Sequence, residues 1–132
     1  MPKNLTTKDM TCSVVRDVID IEGLRHRAQH PKAGAVIIFY GDVRNHSQQQ
    51  EISFLEYEAH ESMALKQISM VIEEARQKWE LHAIEVIHRI GKLAVKDCSI
   101  AIAVSASHRG EAYAASRYII DTIKYSVPIW KK

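Results

Sequence analysis

Residues 98–111 read Cys98-Ser-Ile-Ala-Ile-Ala-Val-Ser-Ala-Ser-His-Arg-Gly-Glu111. Ile100, Ile102 and Val104 alternate with Ala101 and Ala103, the period of a strand with one bulky and one small face. The small face fits beneath a closely packed helix. The period then changes. Ala112, Ala115, Ile119 and Ile123 form one helical stripe, which predicts a helix from about His108 to Lys124, with Ser107 as its N-cap. Pro128 ends the helical region and leaves residues 129–132 as an extended tail.

Upstream, Leu81 to His88 reads as a strand, and Gly91 breaks the chain. A helix is predicted from near Ser62, with Ala64, Ile68, Val71, Ile72, Ala75 and Trp79 on one stripe. Ile52 to Glu58 alternates, with Ile52, Phe54 and Glu56 on one face and Leu55 and Tyr57 on the other. Residues 44–50 form a polar loop. Gly34 to Val43 reads as a buried strand carried by Val36, Ile37, Ile38 and Phe39. Asp20 caps a short helix, Ile21 to about Gln29, stopped by Pro31. Ser13 to Val18 is the first strand. Residues 1–12 are expected to be a flexible N-terminus, with 13–132 as one domain. The order is β-α-β-β-α-β-(β)-β-α. Strand pairs without intervening helices predict α+β rather than a doubly wound parallel sheet.

Composition narrows the classes. The 132 residues are 46% hydrophobic and 26% charged, the mix of a soluble globular domain. No apolar run approaches the roughly 18 residues of a membrane helix, and the N-terminus lacks the apolar core of a secretory signal. A cytoplasmic protein without membrane contact is expected. Cys12 and Cys98 alone cannot build a disulfide scaffold or a four-cysteine zinc site. His26 and His30 share a helix face, but no nearby carboxylate or thiol completes a metal set, so no metal is expected. There is no Gly-rich phosphate loop, G-x-S-x-G elbow or zinc-protease motif.

The net charge is +2, and its excess lies in residues 101–132. There Arg109, Arg117, Lys124, Lys131 and Lys132 oppose only Glu111 and Asp121, which suggests an anionic ligand or a solubilising tail. Three clusters could use that charge. Gly41-Asp42-Val43-Arg44-Asn45-His46, at a strand end, can set several donors around an anion or be a solvated turn. Ser105 to Glu111 sits where a strand enters a helix, so first-turn amides, His108 and Arg109 could hold an anion. An exposed arginine there opposes the helix dipole, which favours the ligand reading. Lys124 lies in the last helical turn, and Pro128 and Trp130 would bring Lys131 back toward it. Two close ammonium groups make each other easier to deprotonate, one way to obtain a usable base or nucleophile. His88-Arg89-Ile90-Gly91 reads as a strand end and turn, Cys98 as a buried small hydrophobe, and Glu56, Glu58 and Glu61 as a solvated strand end and helix start.

Taken together, these stretches resemble the large, catalytic subunit of molybdopterin synthase. The matching segments are Gly34-Ala35 with Phe39 to Asn45, and Leu55 to Ala59 with Met63-Ala64. They continue with His88 to Leu93, Ala103 to Arg109, and Asp121 to Lys124 with Pro128 to Lys132, covering about Val14 to Lys132 in order. The resemblance implies an α/β hammerhead-type fold with a small additional antiparallel β subdomain. It implies a homodimer, and a heterotetramer with a small ubiquitin-like sulfur carrier ending in Gly-Gly. The carrier's thiocarboxylate would deliver sulfur to cyclic pyranopterin monophosphate, forming the dithiolene of molybdopterin, with no cofactor and no nucleic acid. Asp42, Val43, Arg44, His108, Arg109, Lys124, Lys131 and Lys132 match substrate-binding positions, Lys124 and Lys131 the catalytic lysines, and Phe39 a pocket-lining position. The pattern departs at Gln48-Gln49-Gln50, where the family has a glycine, and at Lys96-Asp97, where it has Gly-Glu. A further basic residue of the family's site follows the segment matched by Lys132.

A different class, a small nucleotide- or RNA-binding α+β module using Arg44, His108, Arg109 and the tail, would need surface aromatics interleaved with basic residues. Most Tyr and Phe here fall in strand or helix patterns instead. One geometric expectation follows from the last helix. His108 and Lys124 are sixteen residues apart, roughly 24 Å along a helix axis. Side chains and a small pterin span that gap only when fully stretched. The site is therefore expected to be composite, with Arg44, Lys124 and Lys131 from one chain and His108 and Arg109 from a dimer mate.

Overall fold

The computed structural model describes the backbone of residues 3–7, 10–47, 50–51 and 54–132, and the side chains of 10–45 and 54–132. Five strands form the main sheet: β1 (Lys3–Thr7), β2 (Met10–Val15), β3 (Ala35–Asp42), β7 (Ala83–Arg89) and β9 (Cys98–Ala106), in spatial order β1-β2-β7-β9-β3. All neighbours are antiparallel except β2 and β7. A second, antiparallel sheet is ordered β10-β6-β8, from β6 (Phe54–Ala59), β8 (Gly91–Ala94) and β10 (Ile129–Lys131). A two-residue ribbon, β4 (His46–Ser47) with β5 (Gln50–Glu51), occupies the expected polar loop. The mixed architecture agrees with the α+β expectation.

The two faces of β9 explain how the layers assemble. Ile100, Ile102 and Val104 face a core that α2 (Glu61–Lys78) fills with Ile68, Val71, Ile72 and Ala75, and α3 (Arg109–Ser126) with Ala115, Ile119 and Ile123. Burying each of these large aliphatic side chains stabilises the fold by roughly 1.5–3 kcal/mol. On the opposite face, Ala101 and Ala103 lie under Leu24 and Ala28 of α1 (Ile21–Ala28). Small residues let that helix approach, as the alternation implied. Asp20 caps α1 by accepting from the Gly23 amide, and Arg27 Nε donates to buried Glu85 of β7 at 2.7 Å.

Several boundaries differ from the sequence reading. The strand expected at 13–18 is β2, Met10–Val15, and Val18 is 77% exposed. Residues 3–7, within the segment expected to be flexible, form a strand that pairs antiparallel with β2 at the edge of the sheet. Cys12, placed in the flexible segment by sequence, is 1% exposed in the core. β3 is an edge strand rather than a buried one, because β9 pairs with one side only, and Val36, Phe39 and Tyr40 keep exposed surface. Ser107 is not the α3 cap. His108 is, in extended conformation and without a side-chain cap, while the Ser107 hydroxyl bonds His82 Nε2 at 2.8 Å. The expectation for Ile52 lies outside the described residues.

Candidate functional site

A cavity of about 540 Å³ opens where the end of the main sheet, the last turns of α3 and the second sheet meet. That volume suits a small organic ligand. Three elements bring cations to it. Arg44 follows β3, Lys124 comes from the last turn of α3, and Lys131 from β10.

Local structure explains each placement. The β3–β9 ladder shifts register between Gly41 and Asp42, and the Ser99 hydroxyl donates to the Gly41 carbonyl at 3.1 Å. Beyond this bulge Val43 is buried and held on both sides: its amide donates to the Asp97 carbonyl at 2.9 Å, and its carbonyl accepts from the Lys96 amide at 2.7 Å. With Val43 pinned inward, its exposed neighbours Asp42 and Arg44 border the cavity. The pinning turn includes Lys96 at φ 80°, a left-handed conformation that suits glycine, the residue expected there from the family pattern. At the other wall, Lys131 is the cross-strand partner of Tyr57, and both line the cavity.

The structure thus brings together Phe39, Asp42, Val43, Arg44, Lys124 and Lys131. It does not bring the other three expected residues to the cavity. His108 and Arg109 are exposed at the opposite end of α3, with His108 Nδ1 3.8 Å from Glu111. Lys132 is opposite Glu56 in the ladder extension, its amide donating to the Glu56 carbonyl at 2.8 Å, and its ammonium pairs with Glu58 at 3.5 Å and Glu56 at 4.0 Å.

Sequence reading missed His88 and Ser99 as site residues and left Tyr57 as a strand residue. His88 is 8% exposed at the cavity wall, its ring edge-on to Tyr57 with centroids 5.6 Å apart. Its Nδ1–H donates to the Arg89 carbonyl at 2.9 Å, and burial pushes the imidazole down to about 4, against that bond's opposing pull. The ring is therefore neutral near pH 7. The available signal was its place in an alternating row, Ile84, Val86, His88, where a third aliphatic residue would continue the pattern. Cys98 is part-buried beside the site. Burial, reinforced by the Asp42 carboxylate, pushes its thiol up and keeps it protonated, hence a poor nucleophile. Among the described residues, no group of three His, Cys, Asp or Glu could hold a metal ion, and no helix is long and apolar enough to cross a membrane.

Residues 14–126 match the family model described as MoaE protein. The chain is similar to the molybdopterin synthase catalytic subunit of Thermoplasma volcanium, 46% identical over 109 residues, covering 83% of this chain and 80% of the relative. The Staphylococcus carnosus protein of the same name is 41% identical over 119 residues, covering 90% and 79%. Among solved structures, molybdopterin synthase from Staphylococcus aureus superposes with a TM-score of 0.86 at 39% identity, covering 90% of this chain and 87% of that one. A complex of subunits 1 and 2 of molybdopterin-converting factor from Helicobacter pylori shares the fold at 18% identity, with a TM-score of 0.76 over 91% and 82%.

Proposed function

The chain belongs to the MoaE protein family, and from this we propose that it is the catalytic subunit of a molybdopterin synthase, a cytoplasmic sulfurtransferase in molybdenum cofactor biosynthesis. Its substrate is cyclic pyranopterin monophosphate. The sulfur arrives as a thiocarboxylate on the C-terminal Gly-Gly of a small ubiquitin-like carrier, and two transfers form the dithiolene.

The observation that carries this reading is the convergence of Arg44, Lys124 and Lys131 on one cavity of ligand size. Arginine suits a phosphate through its fork of donors. A lysine at the helix end, with a second lysine on the neighbouring strand, suits proton transfer and stabilisation of an anionic peptide terminus. Lys124 takes the proton-shuttling or transiently nucleophilic role, and Lys131 assists it.

The functional unit is a homodimer that binds one carrier at each end. His108 and Arg109 act in the mate's site, completing phosphate binding there. The uninterrupted α3, which keeps them roughly 24 Å from Lys124, supports this arrangement. The unpaired edge of β3, with part-exposed Phe39 and Tyr40, offers surface for a mate to cover.

The test is reconstitution of the purified chain with a thiocarboxylated Gly-Gly carrier and cyclic pyranopterin monophosphate. Dithiolene product, dependent on both additions, is the expected result. Absence of product despite formation of the complex with the carrier would overturn the reading.

A further inference from the structure

We propose that His88 contacts the substrate as a neutral hydrogen-bond acceptor, its Nε2 taking an N–H or O–H donor of the bound pyranopterin while the cations hold the phosphate. The inference rests on the substrate reading above.

Four observations converge on it. His88 ends the inward row of β7 after Ile84 and Val86, which are 2% and 0% exposed, at a position where an aliphatic side chain would pack without a polar atom to satisfy. The ring is fixed by the bond from Nδ1–H to the Arg89 carbonyl and by the edge contact with Tyr57. A carbonyl only accepts, so the proton of the neutral ring sits on Nδ1 and the lone pair on Nε2. Nε2 has no partner among the described residues, yet it is not fully enclosed. Ser105 Oγ is the fully enclosed side-chain polar atom without a partner among those residues. His88 lines the cavity, so the remaining access of Nε2 leads there.

The composition of the cavity makes that lone pair useful. Arg44, Lys124 and Lys131 are donors only, matched to phosphate and carboxylate oxygens. They cannot satisfy the N–H groups that a reduced pterin carries. The Ser99 hydroxyl gives its proton to the Gly41 carbonyl and keeps only an oxygen that accepts more weakly than an imidazole nitrogen, and Asp42 is exposed at the rim. His88 therefore supplies a buried acceptor in a donor-rich site. Burial keeps it neutral at the pH where the lysines are needed, so it reads the heterocycle without joining the proton traffic.

Three variants test this. His88→Asn keeps a short amide donor near the Arg89 carbonyl but removes the acceptor. His88→Gln sets an amide oxygen near the position of Nε2. His88→Phe keeps the ring packing and removes both polar atoms. Calorimetry with cyclic pyranopterin monophosphate alone should show binding weakened about 10-fold in His88→Asn and His88→Phe, because a donor is left unpaired. His88→Gln should recover most of the affinity. In turnover, KM should follow this order, with kcat changing less. Wild-type affinity in folded His88→Asn, or a His88→Gln protein no better than His88→Asn, would overturn the proposal. If His88→Phe fails to fold, the Asn and Gln pair decides. If the wild type binds the pterin but forms no product with the thiocarboxylated carrier, the sulfur-transfer reading falls and the binding series still decides His88. If the wild type does not bind the pterin, both fall.

Discussion

The two ends of α3 carry the same kind of charge in opposite circumstances. At its carboxyl end Lys124 stands where the helix dipole favours a cation, beside a cavity walled by β10 and β3. At its amino end His108 and Arg109 stand where the dipole disfavours cations, exposed and without a side-chain cap on the first turn. One end lines a cavity of ligand size. The other, in the composite arrangement proposed above, is half of a mate's site, and the difference teaches that a cation held against its local field is a reason to look for an anion outside the chain.

Removing Lys124 probes the built end hardest. Lys124→Ala should lower product formation by at least about 100-fold, the scale of a lost acid–base group. Its melting should shift by no more than the few tenths of a kcal/mol of an exposed helix-end cation. Turnover close to wild type would break the contrast between the ends.

Mixing the two ends tests whether they meet across a dimer. Neither His108→Ala nor Lys124→Ala should support turnover alone. After dissociation and reassortment, about half of the dimers are mixed, each with one intact composite site, so roughly a quarter of wild-type sites should return. Mixed dimers without activity would locate each site within a single chain.

Acid should expose the burial of His88 beside the cavity. Above pH 6.5 His88 is neutral folded or unfolded and has no effect. As pH falls from 6.5 to about 4, the unfolded chain takes up a proton that the folded chain refuses, so stability declines, by about 3 kcal/mol once the window is crossed. Denaturant titrations of wild type and His88→Phe across that window should differ by this slope.

The smallest effect sharpens how the built end is braced. Lys96 pays a left-handed penalty in the turn that pins Val43. Lys96→Gly should be neutral to about 1 kcal/mol stabilising, since relief of strain outweighs the added freedom of the unfolded chain. A clear loss of stability in chemical denaturation would show that the Lys96 side chain matters beyond its backbone.

The periodic segments were legible from sequence. The α2 and α3 stripes and the two-faced β9 rest on packing rules that a single chain displays: Ala64, Ile68, Val71, Ile72 and Ala75 of α2 and Ala112, Ala115, Ile119 and Ile123 of α3 are all buried. The edge strand β1, Lys-Asn-Leu-Thr-Thr, shows no alternation of apolar and polar residues, and only its pairing with β2 marks it as a strand. Arg44, Lys124 and Lys131 were legible as candidates because charge at element ends is visible in a sequence, and all three line one cavity. His88 was not, since its place at the cavity wall beside Tyr57 depends on a strand from a distant part of the chain. Ser107 was misread for a related reason. The His82 that claims its hydroxyl lies on the entry to β7, 25 residues away.

The last strand has a consequence for how such chains tolerate change. In β10, Lys131 faces Tyr57 and Lys132 continues the ladder opposite Glu56. Alternation makes the distance from Pro128 a parity code. Inserting one residue before Trp130 would set Trp130 against Tyr57 and carry Lys131 round to the acidic face, with no residue lost. Inserting two would keep the faces and move only the depth. Spacing here is under a stricter rule than identity, and drift by odd steps is the change this terminus can least absorb.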